Sequence, residues 1–230
     1  MSNYPIGIDV SKYNIGWSPD KANKPINFVI QRASWACYKD ERFDKILPEV
    51  QKVPIRGAYH YYSSGVPWTR QAAVFLNAVK DKGFQFFVLD YETAFNSLGR
   101  RTIAEASEFI KFVKTQTGKR CLFYFSPSTF TSYISPFGYT NWCNKQDVWL
   151  AWYPWAIGQT PLVSEPVLPK GLSHWDIWQY GAGDVYLKTK TKTLFTAGWS
   201  AGADYGGGLR GMDLNYFHGT KDDLKGWVNG

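Results

Sequence analysis

Nowhere in this chain of 230 residues is there a run of the roughly 20 consecutive apolar residues that a membrane-spanning helix needs, so it is not read as an integral membrane protein. The opening Met-Ser-Asn-Tyr-Pro-Ile-Gly has neither a basic segment nor an apolar core, and no signal peptide is expected there. Cysteine is scarce. Cys37, Cys121 and Cys143 are odd in number, which excludes a fully paired disulfide framework, and their spacing is not that of a metal site. Free thiols fit synthesis in a reducing compartment. No Ser/Gly linker, internal repeat or break in composition divides the chain. Disorder is excluded as well, because 44% of the residues are apolar and 20% charged, the balance of an ordinary folded domain. A chain of this length buries a core without help from disulfides or metals.

Aromatics, by contrast, are abundant: 11 Trp, 15 Tyr and 15 Phe make up 18% of the chain. A core of this size does not need so many, and aromatic platforms commonly hold the flat faces of sugars or bases. The formal net charge is +7. That favours approach to polyanions, whether nucleic acid, an anionic membrane or an anionic cell wall, although a solvated basic surface accounts for it equally well.

Eight short apolar segments, bounded by Gly, Pro, Ser or Asn, read as strands: 6–11, 28–34, 57–62, 86–93, 121–127, 148–154, 175–181 and 211–217. Helical periodicity lies between the earlier ones. Phe43, Ile46, Leu47 and Val50 form one face within 40–52. Thr69 is a candidate N-cap for a helix over 69–82 with Ala72, Phe75, Leu76 and Val79 on its stripe. Thr102-Ile-Ala-Glu reads as a capping box for 102–117, and Gly118 as its C-terminal stop. Helices alternating with the first five strands imply parallel crossovers, whereas beyond Pro154 the helical pattern fades. The expected fold is α/β: a single TIM-like barrel domain over residues 1–230, irregular in its last third. A long insert, 182–208, separates the last two barrel strands. It contains an alternating Lys/Thr stretch that reads as an exposed basic hairpin, followed by Gly206-Gly207-Gly208. Such an insert is functional or merely an excursion of the chain.

In a parallel α/β barrel the C-terminal strand ends converge on the mouth where chemistry sits. Those ends carry Asp9, the pair Asp90 and Glu92, and Asp213. Asp90 and Glu92, two apart on one strand, share a face, and with Val88 they point toward the barrel axis. Strands one and eight meet at barrel closure, which brings Asp9 and Asp213 together. Each acid alone would be read as a cap or a surface ion pair. Four around one mouth of a basic protein are costly, because like charges at close range cannot all ionise. That arrangement keeps one carboxyl protonated beside an ionised one, as glycoside cleavage requires. An all-oxygen site for Mg²⁺ or Ca²⁺ is the competing use of such a cluster.

The residues also resemble a known family. Ile6-Gly-Ile-Asp-Val-Ser-Lys-Tyr-Asn, Gly57-Ala-Tyr-His-Tyr, Leu89-Asp-Tyr-Glu, Trp149-Leu-Ala-Trp-Tyr, Trp178-Gln-Tyr-Gly and Gly211-Met-Asp-Leu-Asn-Tyr-Phe look like glycoside hydrolase family 25, the Chalaropsis-type lysozymes, which include phage endolysins. The matches run in order from residue 6 to residue 219. The resemblance implies five β/α units followed by three β-strands. It implies metal- and cofactor-free hydrolysis of the β-1,4 bond between N-acetylmuramic acid and N-acetylglucosamine, retaining anomeric configuration through the sugar's 2-acetamido group. Carried over, Glu92 matches the proton donor, Asp90 the partner carboxylate, and Asp9 and Asp213 the remaining acids. Tyr124 matches a tyrosine suited to bonding the acetamide oxygen, with a core tyrosine as the alternative. Tyr61, Tyr153, Trp178 and Gln179 match positions expected to line the sugar groove. Arg32 balances the acids, meets a muramyl lactate or forms an ordinary salt bridge. His60 reads as a structural histidine, since Tyr59 and Tyr61 face the other way. The chain departs from the family at Ile15-Gly-Trp-Ser-Pro, where many members carry an acid. It departs again at Trp35-Ala-Cys-Tyr, which replaces a more Gly/Thr-rich turn and leaves Tyr38's contact with ligand open. The 182–208 insert is longer than in the family.

The expected partners are peptidoglycan glycan strands and anionic wall polymers, bound by a monomer without membrane insertion. A related glycosidase acting on a chitin-type polymer and a non-catalytic wall-binding module are the alternatives. Nucleic acid is not expected, because the mouth is acidic and no binding motif is present. Without a signal peptide, the protein would be made in the host cytoplasm and reach the bacterial wall through a lytic pore or another route. Charge-assisted approach is screened beyond roughly 8–10 Å at physiological salt. Lysis of purified walls is therefore expected to slow as ionic strength rises, and equal rates at low and high salt would exclude that contribution.

Overall fold

The computed structural model describes residues 4–94, 96–154, 156–157, 160–161, 163–183, 186–188, 193–195, 201–202, 204–207 and 211–230. Each of the eight apolar segments forms a strand. These are β1 (Ile6–Val10), β2 (Phe28–Trp35), β3 (Ile55–Tyr61), β4 (Phe86–Asp90), β5 (Cys121–Phe125), β6 (Val148–Ala151), β7 (Ile177–Gly181) and β8 (Asp213–Phe217). Neighbours in sequence are neighbours in the sheet, and β1 pairs with both β2 and β8, so the sheet closes into a barrel. The first seven strands run parallel. β8 is antiparallel to β7 and to β1, which is where the irregularity expected of the last third lies. The last strand enters from the mouth and runs down.

Strand alternation separates two cores. Phe28, Ile30, Phe86, Val88, Leu122, Trp149, Ile177 and Phe217 fill the barrel interior. Ile8, Val29, Phe87, Leu89, Phe123 and Leu150 pack outward against three helices. These are α1 (Phe43–Val50), α2 (Trp68–Val79) and α3 (Arg100–Thr117), each following a strand. The helical stripes are buried as their spacing requires: Phe43, Ile46, Leu47 and Val50 on α1, and Ala72, Phe75 and Val79 on α2.

The helix starts differ from the reading. α2 begins after Pro67, with no side-chain cap at Thr69. α3 begins at Arg100, so Thr102 sits inside its first turn and accepts the Gly99 N–H at 2.8 Å. Glu105 accepts the Tyr62 hydroxyl and Arg101 instead of closing a box. At the other end Gly118 adopts φ 65° and bonds back to Lys114 at 2.9 Å, as expected. After β5 the chain makes only short turns of helix within residues 127–143.

A fourth helix, α4 (Lys221–Asn229), was not foreseen. Thr220 and Asp223 cap it reciprocally, with Thr220 N–H to Asp223 Oδ2 at 2.8 Å and Asp223 N–H to Thr220 Oγ1 at 3.1 Å. It plugs the barrel end opposite the mouth. Leu224 is buried in the interior, and the Trp227 ring meets Phe86 at 5.3 Å and Phe217 at 5.5 Å. Within the 182–208 insert, Tyr186–Lys188 pairs antiparallel with Thr193–Phe195, as the hairpin reading expects. Its exposure, residues 189–192 and Gly208 lie outside the described residues. Further along, Tyr205 accepts the indole N–H of buried Trp17 at 2.8 Å, which ties the insert to the first loop. Among the described residues no helix is long and apolar enough to cross a membrane.

Two glycines make room for the interior rings. A Cβ on Gly7 would stand 2.2 Å from the Phe28 ring, and one on Gly57 would stand 2.4 Å from the Phe86 ring. Both rings are fully buried and cannot retreat. Gly57→Ala is expected to destabilise the fold by about 1–3 kcal/mol in denaturant unfolding. An unchanged midpoint would show that the interior is looser than its packing.

Candidate active site

The inward faces of most strands turn polar where they reach the mouth. β1 contributes Asp9, β4 Asp90, β5 Tyr124, β7 Gln179, and β8 Asn215 and Asp213. Registry places them together: Asp9 is opposite Asp213, Tyr61 opposite Asp90, Asp90 opposite Tyr124, and Gln179 opposite Asn215. Asp213 reaches the mouth because β8 is antiparallel and begins there. Glu92 stands two residues beyond the end of β4, half-buried at the rim. Tyr91 between them is buried on the outer side, bonded to the Thr102 hydroxyl at 2.7 Å. The same-face relation of Asp90 and Glu92 therefore continues past the strand.

Asp9 is 5% exposed. Its Oδ2 accepts Gln179 Nε2 at 2.8 Å and Asn215 Nδ2 at 2.9 Å. Burial pushes its carboxyl up to about 6, against the opposing pull of Asn215, Gln179 and Asp213, which all bond it. Asp90 is also buried, and its Oδ1 has no hydrogen-bond partner. Burial raises its carboxyl well above the usual range. The adjacent Glu92, to which it is hydrogen-bonded, and then Asp9 raise it further, while Arg32 opposes. Asp90 therefore keeps its proton to higher pH than a free carboxyl, with Glu92 beside it. Asp213 accepts the Gly183 N–H at 2.7 Å.

Gln179 organises the floor. Its Oε1 accepts the Tyr124 hydroxyl at 2.8 Å and the Tyr153 hydroxyl, while its amide nitrogen donates to Asp9. Tyr61 donates to the Ala94 carbonyl and so anchors the loop that carries Glu92. Arg32 Nε donates to buried Asp40 at 2.6 Å, and its guanidinium lies 5.4 Å from the Tyr13 ring centre. The salt bridge and the balancing of the acids are both present at Arg32, since its charge also acts on Asp90.

Trp178 is a correction. It is fully buried on the outer side of β7, and its indole N–H donates to Trp152 O at 2.7 Å. Alternation turns Gln179 inward and both its neighbours away, so Trp178 does not line the groove. His60 is structural, as read: it is buried between the Ser34 hydroxyl at 2.8 Å and Gln71 Oε1 at 2.9 Å, with its imidazole pushed down to about 4 by burial. Sequence reasoning missed Asn215, although the two-residue period from Asp213 points to it. It also missed Tyr13 and Trp35, which line a cleft of about 450 Å³ with Arg32, Tyr61 and Glu92. Among the described residues no group of three or more His, Cys, Asp or Glu is disposed to hold a metal ion.

The family model described as glycosyl hydrolases family 25 matches residues 8–186. The uncharacterized protein YegX of Escherichia coli O6:H1 is 27% identical over 179 residues, which are 76% of this chain and 53% of that protein. The chain thus spans about half the length of the curated relatives it matches. A bacterial lysozyme from Streptomyces coelicolor superposes with a TM-score of 0.72 at 22% identity, covering 100% of this chain and 99% of that one. The catalytic domain of endolysin ply40 from bacteriophage P40 of Listeria monocytogenes gives 0.68 at 22% identity, covering 99% and 98%. At such identities the structures speak for the fold.

The pooled carboxyls have a consequence for stability. Asp90 holds its proton to higher pH in the folded protein than in the unfolded chain, whose aspartates titrate near pH 3.9. Its contribution is therefore most favourable below about pH 4 and is lost as pH rises. Asp90→Asn is expected to melt at a higher temperature than the parent at pH 7, with the gap closing toward pH 4. A gap independent of pH would show that the Asp90 carboxyl is not raised.

Proposed function

Because the chain belongs to glycosyl hydrolases family 25, we propose that it is a lysozyme-type N-acetylmuramidase that hydrolyses the β-1,4 bond between N-acetylmuramic acid and N-acetylglucosamine in peptidoglycan. The observation that carries this reading is the pooling of Asp9, Asp90, Glu92 and Asp213 at one barrel mouth, with the buried Asp90 carboxyl raised beside Glu92. Asp90 and Glu92 lie side by side on one face, with the buried Asp90 carboxyl raised by its neighbour, and that adjacency favours participation by the substrate's own acetamide.

Glu92, at the rim beside the cleft, gives its proton to the leaving glycosidic oxygen. The acetamide carbonyl oxygen bonds to the anomeric carbon as the glycosidic bond breaks. The acetamide N–H, growing positive, donates to Asp90. The unpartnered Asp90 Oδ1 is a ready acceptor for that N–H. Accepting it stabilises the ionised form of Asp90 and releases its proton toward Glu92, where it is needed. Water then attacks the anomeric carbon, Glu92 takes its proton, and the acetamide is released with configuration retained. Tyr124 and Tyr153, tied to Gln179, stand beside the acetamide, and Asp9 and Asp213 hold the floor. The fold shared with a phage endolysin domain and the net charge of +7 support delivery to the wall during lysis of the producing cell.

Mass spectrometry of muropeptides released from purified sacculi tests the bond assignment. Reducing-end muramic acid is the expected product, whereas reducing-end glucosamine would replace the assignment with a glucosaminidase. Glu92→Gln is expected to lower the rate by about 10²–10⁴-fold with the fold intact. Near-normal lysis by that variant would remove Glu92 from the acid role.

A further inference from the structure

β2 contains an irregularity that redirects its last residue. Arg32 faces the mouth and pairs with Tyr59, yet it is Ser34 that pairs with His60. Ala33 is the extra residue and packs outward in the core, and Ser34 also turns outward to bond His60 at 2.8 Å. Two consecutive outward residues reverse the alternation, so Trp35 points back to the cleft that Arg32 and Glu92 line. A bulge of this kind re-aims a side chain at the cost of ladder regularity. Without it, Trp35 would join the outer core.

The chain then doubles back over two residues. Trp35 is paired with Tyr38, whose ring lies 5.2 Å away at an interplanar angle of 38°. Ala36 takes φ 47°, the left-handed region that an L-residue disfavours, and its N–H bonds Tyr61 O at 3.1 Å. The strained turn holds two large rings in water, Trp35 at 37% and Tyr38 at 58% exposure. Both rings would be cheaper to bury.

Height on the barrel links this pair to the chemistry. Trp35 is level with Tyr61, and Tyr61 with Asp90. Trp35 therefore lies two strand spacings, about 10 Å, from the reacting pair. Arg32 Nε is paired with Asp40 at 2.6 Å and Lys12 with Glu41 at 3.0 Å, while the surface that Trp35 and Tyr38 add beside them is aromatic and uncharged.

We infer that the Trp35–Tyr38 hairpin is a stacking subsite, which receives the apolar face of one pyranose of the glycan strand adjacent to the scissile bond. The subsite sets substrate affinity and takes no part in bond cleavage; this rests on the muramidase reading above. The test is calorimetric titration of a peptide-free peptidoglycan tetrasaccharide into Glu92→Gln protein, with and without Trp35→Ala, alongside KM and kcat of the single Trp35→Ala variant on the same glycan. About tenfold weaker binding and a tenfold higher KM at nearly unchanged kcat are expected, with Tyr38→Ala acting in the same direction and Trp35→Phe restoring most of the loss. Unchanged affinity and KM in an enzyme that cleaves the glycan would overturn the subsite while leaving the muramidase intact. A fall in kcat at constant KM would overturn it too, assigning Trp35 to the scaffold. Failure of the parent to bind or cleave any glycan would instead refute the muramidase reading itself, and the subsite with it.

Discussion

Carboxylates that share a buried mouth repel one another and lose their hydration, and neither cost can be relieved without a proton. In this barrel Asp9 and Asp90 are buried, Asp213 bonds Asp9, and Glu92 bonds Asp90. A single neutralising cation does not resolve the conflict, because Arg32 is tied to Asp40 and acts on Asp90 from the side. Asp9 and Asp90 therefore hold protons to higher pH than free carboxyls do. The site's chemistry follows from that stored proton: a group able to protonate a leaving oxygen at neutral pH, beside one able to accept a developing positive charge.

The architecture serves to hold that conflict in place. The amides of Gln179 and Asn215 donate to Asp9 from two different strands, and Trp149 in turn fixes Asn215 from the interior at 2.8 Å. Asp213 is at the mouth only because the final strand runs against the others. Reversing one strand moves its first residue to where the others place their last. α4 then closes the opposite end with Leu224 and Trp227, so the polar mouth rests on a dry, packed floor. The apolar layers beneath hold the strands, and so keep the cluster in place despite its cost.

Much of this was legible in the residues. Short apolar segments bounded by Gly, Pro, Ser or Asn marked all eight strands, and the two-residue period put Val88, Asp90 and Glu92 on one face, because successive strand residues point to opposite sides. The acids stood out because a strand end is short and its polar residues are few. The last strand's direction was not legible: Gly211-Met-Asp-Leu-Asn reads the same either way, and direction depends on what the preceding connection does. Trp178 misled because an aromatic at a strand end looks alike on either face, and only its parity relative to Gln179 distinguishes them. The two helix starts failed for a local reason. Thr102 caps from inside the first turn, where its hydroxyl reaches the Gly99 N–H as readily as a residue in the cap position would. The reversal at Ala33 was hidden as well, since a bulge has no composition of its own.

The account stands on a carboxyl that keeps its proton at the mouth, and infrared difference spectroscopy observes that group directly. The protonated-carboxyl stretch is to be followed from pH 4 to pH 8 in the parent and in Asp90→Asn. A carboxylic acid band that persists at pH 7 in the parent and is lost in the variant is the result predicted here. Complete ionisation of every carboxyl by pH 5 would contradict it.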